Sequence, residues 1–557
     1  MQSIRLTSPR APAAYLLVGA ILGIGLAGMS APPLPHQALL AGALALAAGS
    51  LYCARAERCG FRWQATFVAA ATLAFWAYGS TRLPRLPDAD ELALPPREQT
   101  LHLEVERIFL PADQDRYGRT SGIGRILRDP EVGRIRAGDR VYFSAQPADD
   151  SGISLARGST LQATGVLHPL QVDEFSETRG FESYLRDLGI HYRFERTSDL
   201  RELEPPGAFD HFTQRMNTRM QDYLALDAPH ELPLEGIYTA MLLGLKSQLS
   251  SEQKDRYRLS GTMHFFAISG LHIGVIAGVV AQALLLLRVP ARLRPWIGLP
   301  LVYLYVEITG APPSAMRAFL MAAFFWASLS LRRQRSPFAA LIGSAVLVLI
   351  WEPAQLRSVG FQLSYTVVAS ILLFGLPFHR YLSEKLRLFP WLPTDDWTPT
   401  QRLLQASLDA VCLLFAISLS AWLASAPLSA GLFGFFTPGA VGLNMLLVHL
   451  AAVIITTGVL SISLGLLGLT ALAAFVNHAA WLVLALMDRL VSAAMGLGGG
   501  PVESLGFSLP VAYASLALYF GLLLRLHGKR RSPSRINILL PPGVILGALL
   551  FGLLTGA

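Results

Sequence analysis

The chain has 557 residues, 52% of them hydrophobic and 15% charged, with a mean hydropathy of +0.44 and a formal net charge of +8. That balance excludes an ordinary soluble enzyme, because the apolar residues come in blocks of the roughly 20 helical residues that cross a hydrocarbon core. In such a chain a basic excess reports on cytoplasmic loops and says little about ligands.

The first three blocks (14–30, 37–53 and 65–80) predict an N-terminal three-helix membrane anchor over residues 1–80. Pro12-Ala13-Ala14-Tyr15 opens the first block and two more follow at once, as expected of a retained anchor and not of a cleaved signal. Hydropathy then breaks. Residues 81–208 read as a folded, β-rich domain with short strands at Leu101–Phe109, Gly124–Leu127, Arg140–Ala145, Thr160–Leu167 and Ile190–Phe194. Turn signals such as Ala137-Gly138-Asp139 and His168-Pro169 separate them. About five such strands suit a small barrel of the OB type, or otherwise an open sheet. Phe181–Leu188 predicts a helix ended by Gly189, residues 209–224 an amphipathic helix, and 234–246 an interfacial or re-entrant piece too short to span.

Residues 209–557 form a polytopic domain, with further spans at 262–287, 295–309, 314–331, 337–351, 359–377, 406–430, 440–464, 468–494, 509–525 and 537–556. The fold class is a polytopic α-helical membrane protein of about 13 spans with an inserted extracytoplasmic β-rich OB-like domain. Basic residues fall in alternate loops. Arg5 and Arg10 precede the first span; Arg55, Arg58 and Arg62 follow the second; Arg288, Arg292 and Arg294 follow 262–287. Arg332, Arg333 and Arg335, then Arg380, Lys385, Arg387 and Arg402, then Lys529, Arg530, Arg531 and Arg535 continue the pattern. Loops 31–36, 310–313, 431–439 and 495–508 hold no Lys or Arg, and 352–358 holds only Arg357. The positive-inside rule then makes the N-terminus cytoplasmic, the C-terminus and residues 81–230 extracytoplasmic.

Polar side chains inside spans are costly and mark paths or binding sites. His264, Ser269 and His272 are expected in the outer half of their helix, with Ser269 and His272 on one face and Gly270 permitting close backbone approach. Glu307 and Arg317 flank the loop ITGAPPS and could pair across a broken hairpin, since Pro312 and Pro313 forbid a continuous helix. Gln362 and Ser364 open one span, and Asn444 and His449 another. Together they predict a water-filled vestibule open to the exterior beneath the β-rich domain; polar residues snorkelling or capping at span ends are the alternative. Asp488 beside Arg489 reads as structural.

The sequence contains no HExxH, HxHxDH, CxxC, GxxxxGK[ST] or GxSxG, so no ATPase, metal or hydrolase chemistry and no cofactor is expected. Cys53, Cys59 and Cys412 form no metal spacing and read as structural. Arg116, Arg119, Arg125, Arg128, Arg134, Arg136 and Arg140, with Tyr117 among them, are candidate DNA-binding residues of the outer domain. The opposing reading is a solvated, salt-bridged surface, because Asp and Glu outnumber Arg over 81–230 and lysine is absent there.

Several motifs resemble one family. LSGTMHFFAISGLHIGVIAG at 259–278, LLGLKSQLS at 242–250, GAPPSAMRAFLMA at 310–322, EPAQLRSVGFQLSYTVVASI at 352–371 and FGFFTPGAVGLNMLL at 433–447 are similar to stretches of the ComEC/Rec2 competence proteins. RGFESYLRDLGIHYRF at 179–194 resembles the end of their OB-like domain. The resemblance implies a bacterial inner-membrane channel that passes single-stranded DNA into the cytoplasm during natural transformation. It would have a DNA receptor outside, a helicase or single-strand-binding protein inside, and possible homo-oligomers. His264, Ser269, Gly270, His272, Glu307, Ser314, Arg317, Gln362, Ser364 and Asn444 would then belong to the channel or pathway. Many members add a metallo-β-lactamase-like domain with an HxHxDH motif; none occurs here, so nuclease activity is not carried over. His449 stands where the family's pattern has proline. Two other readings stay open: a transporter or flippase for another polyanionic or lipid-linked substrate, and a membrane scaffold with a protein-binding outer domain.

Overall fold

The computed structural model describes residues 12–29, 35–55, 60–84, 95–110, 119–129, 135–146, 155–170, 181–229, 233–330, 336–503, 506–528 and 535–555. Helices Pro12–Met29 (α1), His36–Arg55 (α2) and Gly60–Arg82 (α3) open the chain, with α3 packed against both others. Gly23 permits the close approach, since a Cβ there would lie 2.4 Å from the Thr72 carbonyl oxygen. The group is no separate unit. Ala20, Ile24 and Phe75 are buried together with Leu341, Ala345 and Leu349 of a later helix.

Five strands follow: Arg97–Leu110 (β1), Thr120–Ile126 (β2), Arg140–Ala145 (β3), Thr160–Pro169 (β4) and Tyr192–Glu204 (β5). They close into a barrel in the order β1-β2-β3-β5-β4, with β4 pairing back onto β1 and β3 parallel to β5. Alternate residues point inward, so Leu101, Leu103, Val105, Val141, Phe143, Leu161, Ala163 and Phe194 fill the interior. Register shifts in β1 between Val105 and Arg107 and between Ile108 and Leu110 bend the strand enough to serve two neighbours. Helix Phe181–Asp187 (α4) lies between β4 and β5 in sequence and buries Leu185 against Ile123 and Ile190, outside the barrel. Gly189 ends it at φ +77°, where a side chain would be strained.

The helical part continues with Ala208–Leu224 (α5), Leu234–Leu243 (α6), Ser251–Leu259 (α7), Gly270–Leu286 (α8), Arg294–Ile308 (α9), Pro313–Ser330 (α10) and Pro337–Trp351 (α11). Val359–Ser370 (α12) runs through a π-turn at Ile371–Gly375 into Leu376–Lys385 (α13). Pro399–Phe433 (α14), Ala440–Leu466 (α15), Thr470–Gly496 (α16), Leu509–Gly528 (α17) and Arg535–Thr555 (α18) complete it. One core joins α5, α6, α8, α9, α15 and α16 around Tyr238, Tyr257, Phe266, Leu447 and Leu484; a second joins α14, α17 and α18 around Leu423, Tyr519 and Ile545. Large apolar groups remain on the outside, among them Trp296, Phe475, Leu482 and Leu286, as expected of a surface facing lipid.

Each of the thirteen expected spans coincides with a helix, but among the described residues seven helices are long and apolar enough to cross a membrane by length and composition. They are His36–Ala54, Val359–Lys385, Pro399–Phe433, Ala440–Leu466, Thr470–Gly496, Leu509–Leu526 and Ile538–Thr555. Four more apolar helices are shorter. The expected figure of about thirteen spans is therefore not confirmed. The expected 262–287 helix needs a correction: Met263–Phe266 is a single 3-10 turn, Ala267 and Ser269 are extended, and α8 begins only at Gly270.

The loops poor in basic residues gather at the barrel's end of the molecule. Arg357 donates to the Gly28 carbonyl, and Ser80 bonds His36 at 3.0 Å. Phe435–Phe436 (β6) pairs with Val502–Glu503 (β7), and Tyr513 Oη donates to Gln362 Oε1 at 2.9 Å. Two barrel arginines reach the same end, Arg140 to Glu352 and Arg157 to Glu307. The basic segments 331–335 and 529–534 lie outside the described residues.

Candidate functional site

The stretch between α7 and α8 is apolar yet not helical. Gly261, at φ +74°, turns the chain out of α7, and Thr437 Oγ1 donates to the Leu259 carbonyl at 2.9 Å. His264 bonds the Gly261 carbonyl at 3.2 Å and is accessible to solvent, although protein surrounds it densely. Gly270 is also exposed, and a Cβ there would meet nothing within 4 Å. Non-helical backbone in such apolar surroundings needs a cavity or buried polar partners. Here it has both.

Ser269 and His272 do a different job. Ser269 is the N-cap of α8; its backbone N–H donates to His272 Nδ1 at 3.3 Å, and its Oγ lies 3.1 Å from the same nitrogen. An Nδ1 that accepts leaves the proton of the neutral ring on Nε2. His272 is fully buried beside Met241 near the end of α6, and its Nε2 has no hydrogen-bond partner among the described residues. The imidazole therefore fixes the start of α8 through Ser269 and packs it beside the end of α6. His264 and Gly270 are thus the exposed residues of the segment, while Ser269 and His272 hold its end in place. Replacing Ser269 by Ala is expected to cost about 1 kcal/mol, the usual value of an N-cap, and to speed hydrogen exchange in the first turn of α8.

The pairing expected between Glu307 and Arg317 does not occur. Glu307, 5% exposed at the end of α9, accepts from Arg157 at 2.9 Å, a residue of the turn before β4. Arg157 also lies 3.9 Å from Asp210 at the start of α5. Arg317, 4% exposed, donates instead to Ser364 Oγ through Nη2 at 3.1 Å, with Nε 3.3 Å from the same oxygen. Among the described residues no carboxylate pairs with it. Its Nη2 sits 3.1 Å from where a Cβ of Gly360 would be, so the guanidinium lies against the first turn of α12. A buried cation and a helix N-terminus side by side form a strongly positive spot.

The remaining pathway candidates scatter. Gln362 bridges the Leu356 carbonyl and Tyr513 Oη. Ser314 is half-buried in the first turn of α10. Among the described residues the Oδ1 of Asn444 is buried without a partner, while His449 is exposed and bonds the Met445 carbonyl of its own helix. Asp488 accepts from Tyr257 Oη at 2.9 Å and Arg256 at 3.1 Å, which makes it a brace between α16 and α7.

The barrel arginines divide in a way the sequence did not foretell. Arg116, Tyr117 and Arg134 lie outside the described residues. Arg125 is ion-paired with Glu106, and Arg140 with both Glu106 and Glu352. These two hold the barrel together and onto the bundle, so the salt-bridged reading fits them better than a free binding surface. Arg128 and Arg136 are exposed, as is Arg119. Sequence reasoning missed Arg157 and Glu352, because their partners lie 150 and 212 residues away. Among the described residues no group of three or more His, Cys, Asp or Glu could hold a metal ion.

Comparison with known proteins points to one family. The chain is 26% identical over 216 residues to ComE operon protein 3 of Bacillus subtilis, a stretch covering 39% of this chain and 27% of that protein. It is 33% identical over 147 residues to Competence protein ComA of Neisseria gonorrhoeae, covering 25% of this chain and 21% of that one. With Recombination protein 2 of Haemophilus influenzae the figures are 30% over 172 residues, 29% and 20%. The matches thus span 20–27% of the length of these relatives. No solved structure matches the chain. The family model described as Competence protein matches residues 241–531, more than half of the 557, and the chain belongs to this family, the ComEC/Rec2 competence proteins.

Proposed function

We propose that the chain takes part in DNA uptake during natural transformation, as the inner-membrane channel that passes single-stranded DNA to the cytoplasm. The observation that carries the proposal is the break at 260–269: irregular backbone within apolar sequence, lined by the exposed His264 and Gly270 and braced by Ser269 and His272. The barrel docked on the adjoining helix ends supports a vestibule, through which a strand would be led to that opening. Neutral imidazole and hydroxyl groups suit a passage, since they contact phosphates and bases without holding them as a row of fixed cations would. The names of the competence relatives support the cargo.

In this reading residues 1–80 anchor the chain, 81–208 form the outer domain and 209–557 conduct. The N-terminus is cytoplasmic and the barrel extracytoplasmic, which agrees with the gathering of basic-poor loops around the barrel. Partners would be a DNA receptor outside, a helicase or single-strand-binding protein inside, and further copies of the chain. The test is cytoplasmic entry of labelled DNA in the source bacterium, compared between wild type, a deletion and the deletion complemented by this chain. Entry should vanish in the deletion and return on complementation. Undiminished entry in the deletion, in cells shown to be competent, would instead favour a carrier for another polyanionic or lipid-linked substrate.

A further inference from the structure

The outer surface of the barrel carries four aromatic rings in one patch. Phe109 of β1 and Tyr142 of β3 are stacked at 6.4 Å between centroids, and Phe181 and Tyr184 of α4 stack on each other at 6.1 Å. Edge contacts of 5.4–6.5 Å join the two pairs. Phe109 and Tyr142 are half-buried and form the base; Phe181 and Tyr184 are 46% and 39% exposed and form the rim. Rings this exposed on a rigid support have more area than the barrel's own packing uses.

Cations border the patch. The Arg107 guanidinium lies 5.2 Å over the Phe109 ring, and Arg193 lies 5.2 Å over Tyr142. Arg193 is neutralised by Glu182 and Glu195. Arg107 is not: among the described residues no carboxylate pairs with it. Its electrostatic neighbour across the gap is Lys246, in the turn after α6, which likewise has no carboxylate partner there. Burial, and then the like charge of Arg107, hold the Lys246 ammonium below its usual range. Lys246 is nonetheless accessible to solvent. At the other side of the patch Tyr184 is within electrostatic reach of Arg317. A strip thus runs from Lys246 and Arg107 across the rings toward the buried Arg317. Two neighbouring cations with no carboxylate partner among the described residues repel, and an anion between them would relieve the repulsion.

We infer that this cleft between barrel and bundle is a binding site for single-stranded nucleic acid, with Arg107 and Lys246 gripping phosphates and the rings of Phe181 and Tyr184 stacking on unpaired bases. The inference rests on the DNA-uptake reading and deepens it: the strand would leave the barrel here and enter beside Arg317. Stacking is indifferent to sequence, because every base has a π-face, and that suits a cargo of arbitrary sequence. Double-stranded DNA, its bases stacked on each other, would gain nothing from the rings.

The test uses the full-length chain in phosphatidylcholine nanodiscs, with fluorescence anisotropy of a labelled oligothymidylate of about 16 nucleotides and of an abasic strand of equal length. The double variant Phe181→Ala/Tyr184→Ala is expected to weaken oligothymidylate binding about tenfold or more while leaving the abasic strand unaffected. Arg107→Gln/Lys246→Gln is expected to lower the log–log salt slope by about 1.4, roughly 0.7 for each phosphate no longer neutralised. Both sets of side chains reach solvent, so folding should survive. Wild-type binding that neither double variant alters would overturn the site while leaving DNA as cargo. Wild type that binds neither strand at low salt would overturn the DNA-uptake reading and the site with it. Unaltered strand binding together with lipid photo-crosslinking at position 181 would assign the rings to the bilayer surface and also overturn the inference.

Discussion

Arg317→Met is expected to lower DNA entry at least tenfold while the folded protein stays as stable as the wild type or becomes more so. The guanidinium is 4% exposed and donates to a hydroxyl, that of Ser364. Burying a cation costs several kcal/mol unless a well-placed anion offsets it, and replacing buried charges by apolar groups of similar volume is often neutral or stabilising by about 1–4 kcal/mol. In the DNA-uptake reading proposed above, a charge kept at such cost in the resting protein serves a visiting anion. The N-terminus of α12 beside it adds to the same attraction. A tenfold loss of entry corresponds to about 1.4 kcal/mol of interaction with the strand. The measurement is entry of labelled DNA at equal membrane abundance, paired with thermal unfolding of the purified variant. Retained entry would make Arg317 a packing residue. Lost entry with a large drop in stability would make it a structural one.

Arg157→Ala is expected to loosen the barrel from the bundle at a cost of about 2 kcal/mol, through the unpaired carboxylate it leaves. Glu307 is almost fully buried, and with Arg157 gone its remaining polar neighbour is Tyr303. Arg140→Ala should cost less, about 1 kcal/mol or below, because Arg140, Glu106 and Glu352 are all partly exposed. The sites are separate, so the two losses should add. Hydrogen exchange should rise at 155–158 and 208–213 for Arg157→Ala, and at 140–145 and 352–357 for Arg140→Ala. A charge exchange, Arg157→Glu with Glu307→Arg, should recover part of the loss. No change in exchange at 155–158 would mean that this ion pair does not hold the barrel in place.

The placement of the helices and strands was legible because it depends on local pattern. Blocks of apolar residues long enough to form helices, alternation in Arg140–Ala145 and Thr160–Leu167, and Gly189 after Phe181–Asp187 each act within a few residues. A small barrel was among the expectations, but its strand order was not legible, since it depends on β4 returning to β1 and on a parallel β3–β5 contact. The start of α8 was hidden by hydropathy: HFFAISGLHIGVI reads as one mostly apolar run, and the Ser269–His272 contacts mark the helix start at Gly270. Glu307 and Arg317 were close in sequence and of opposite charge, yet each found a partner from elsewhere, one of them in another domain. The aromatic patch escaped for the same reason. Its rings come from β1, β3 and α4 and meet only in the folded barrel.

The opening at 260–269 can be probed during transport. A photo-crosslinking amino acid replaces His264 in one strain and the outward-facing Leu482 in another, and both are illuminated while labelled DNA enters. Adducts with single-stranded DNA at position 264, and none at 482, are the expected result. Cells that take up DNA normally but yield no adduct at 264 would contradict passage through this opening.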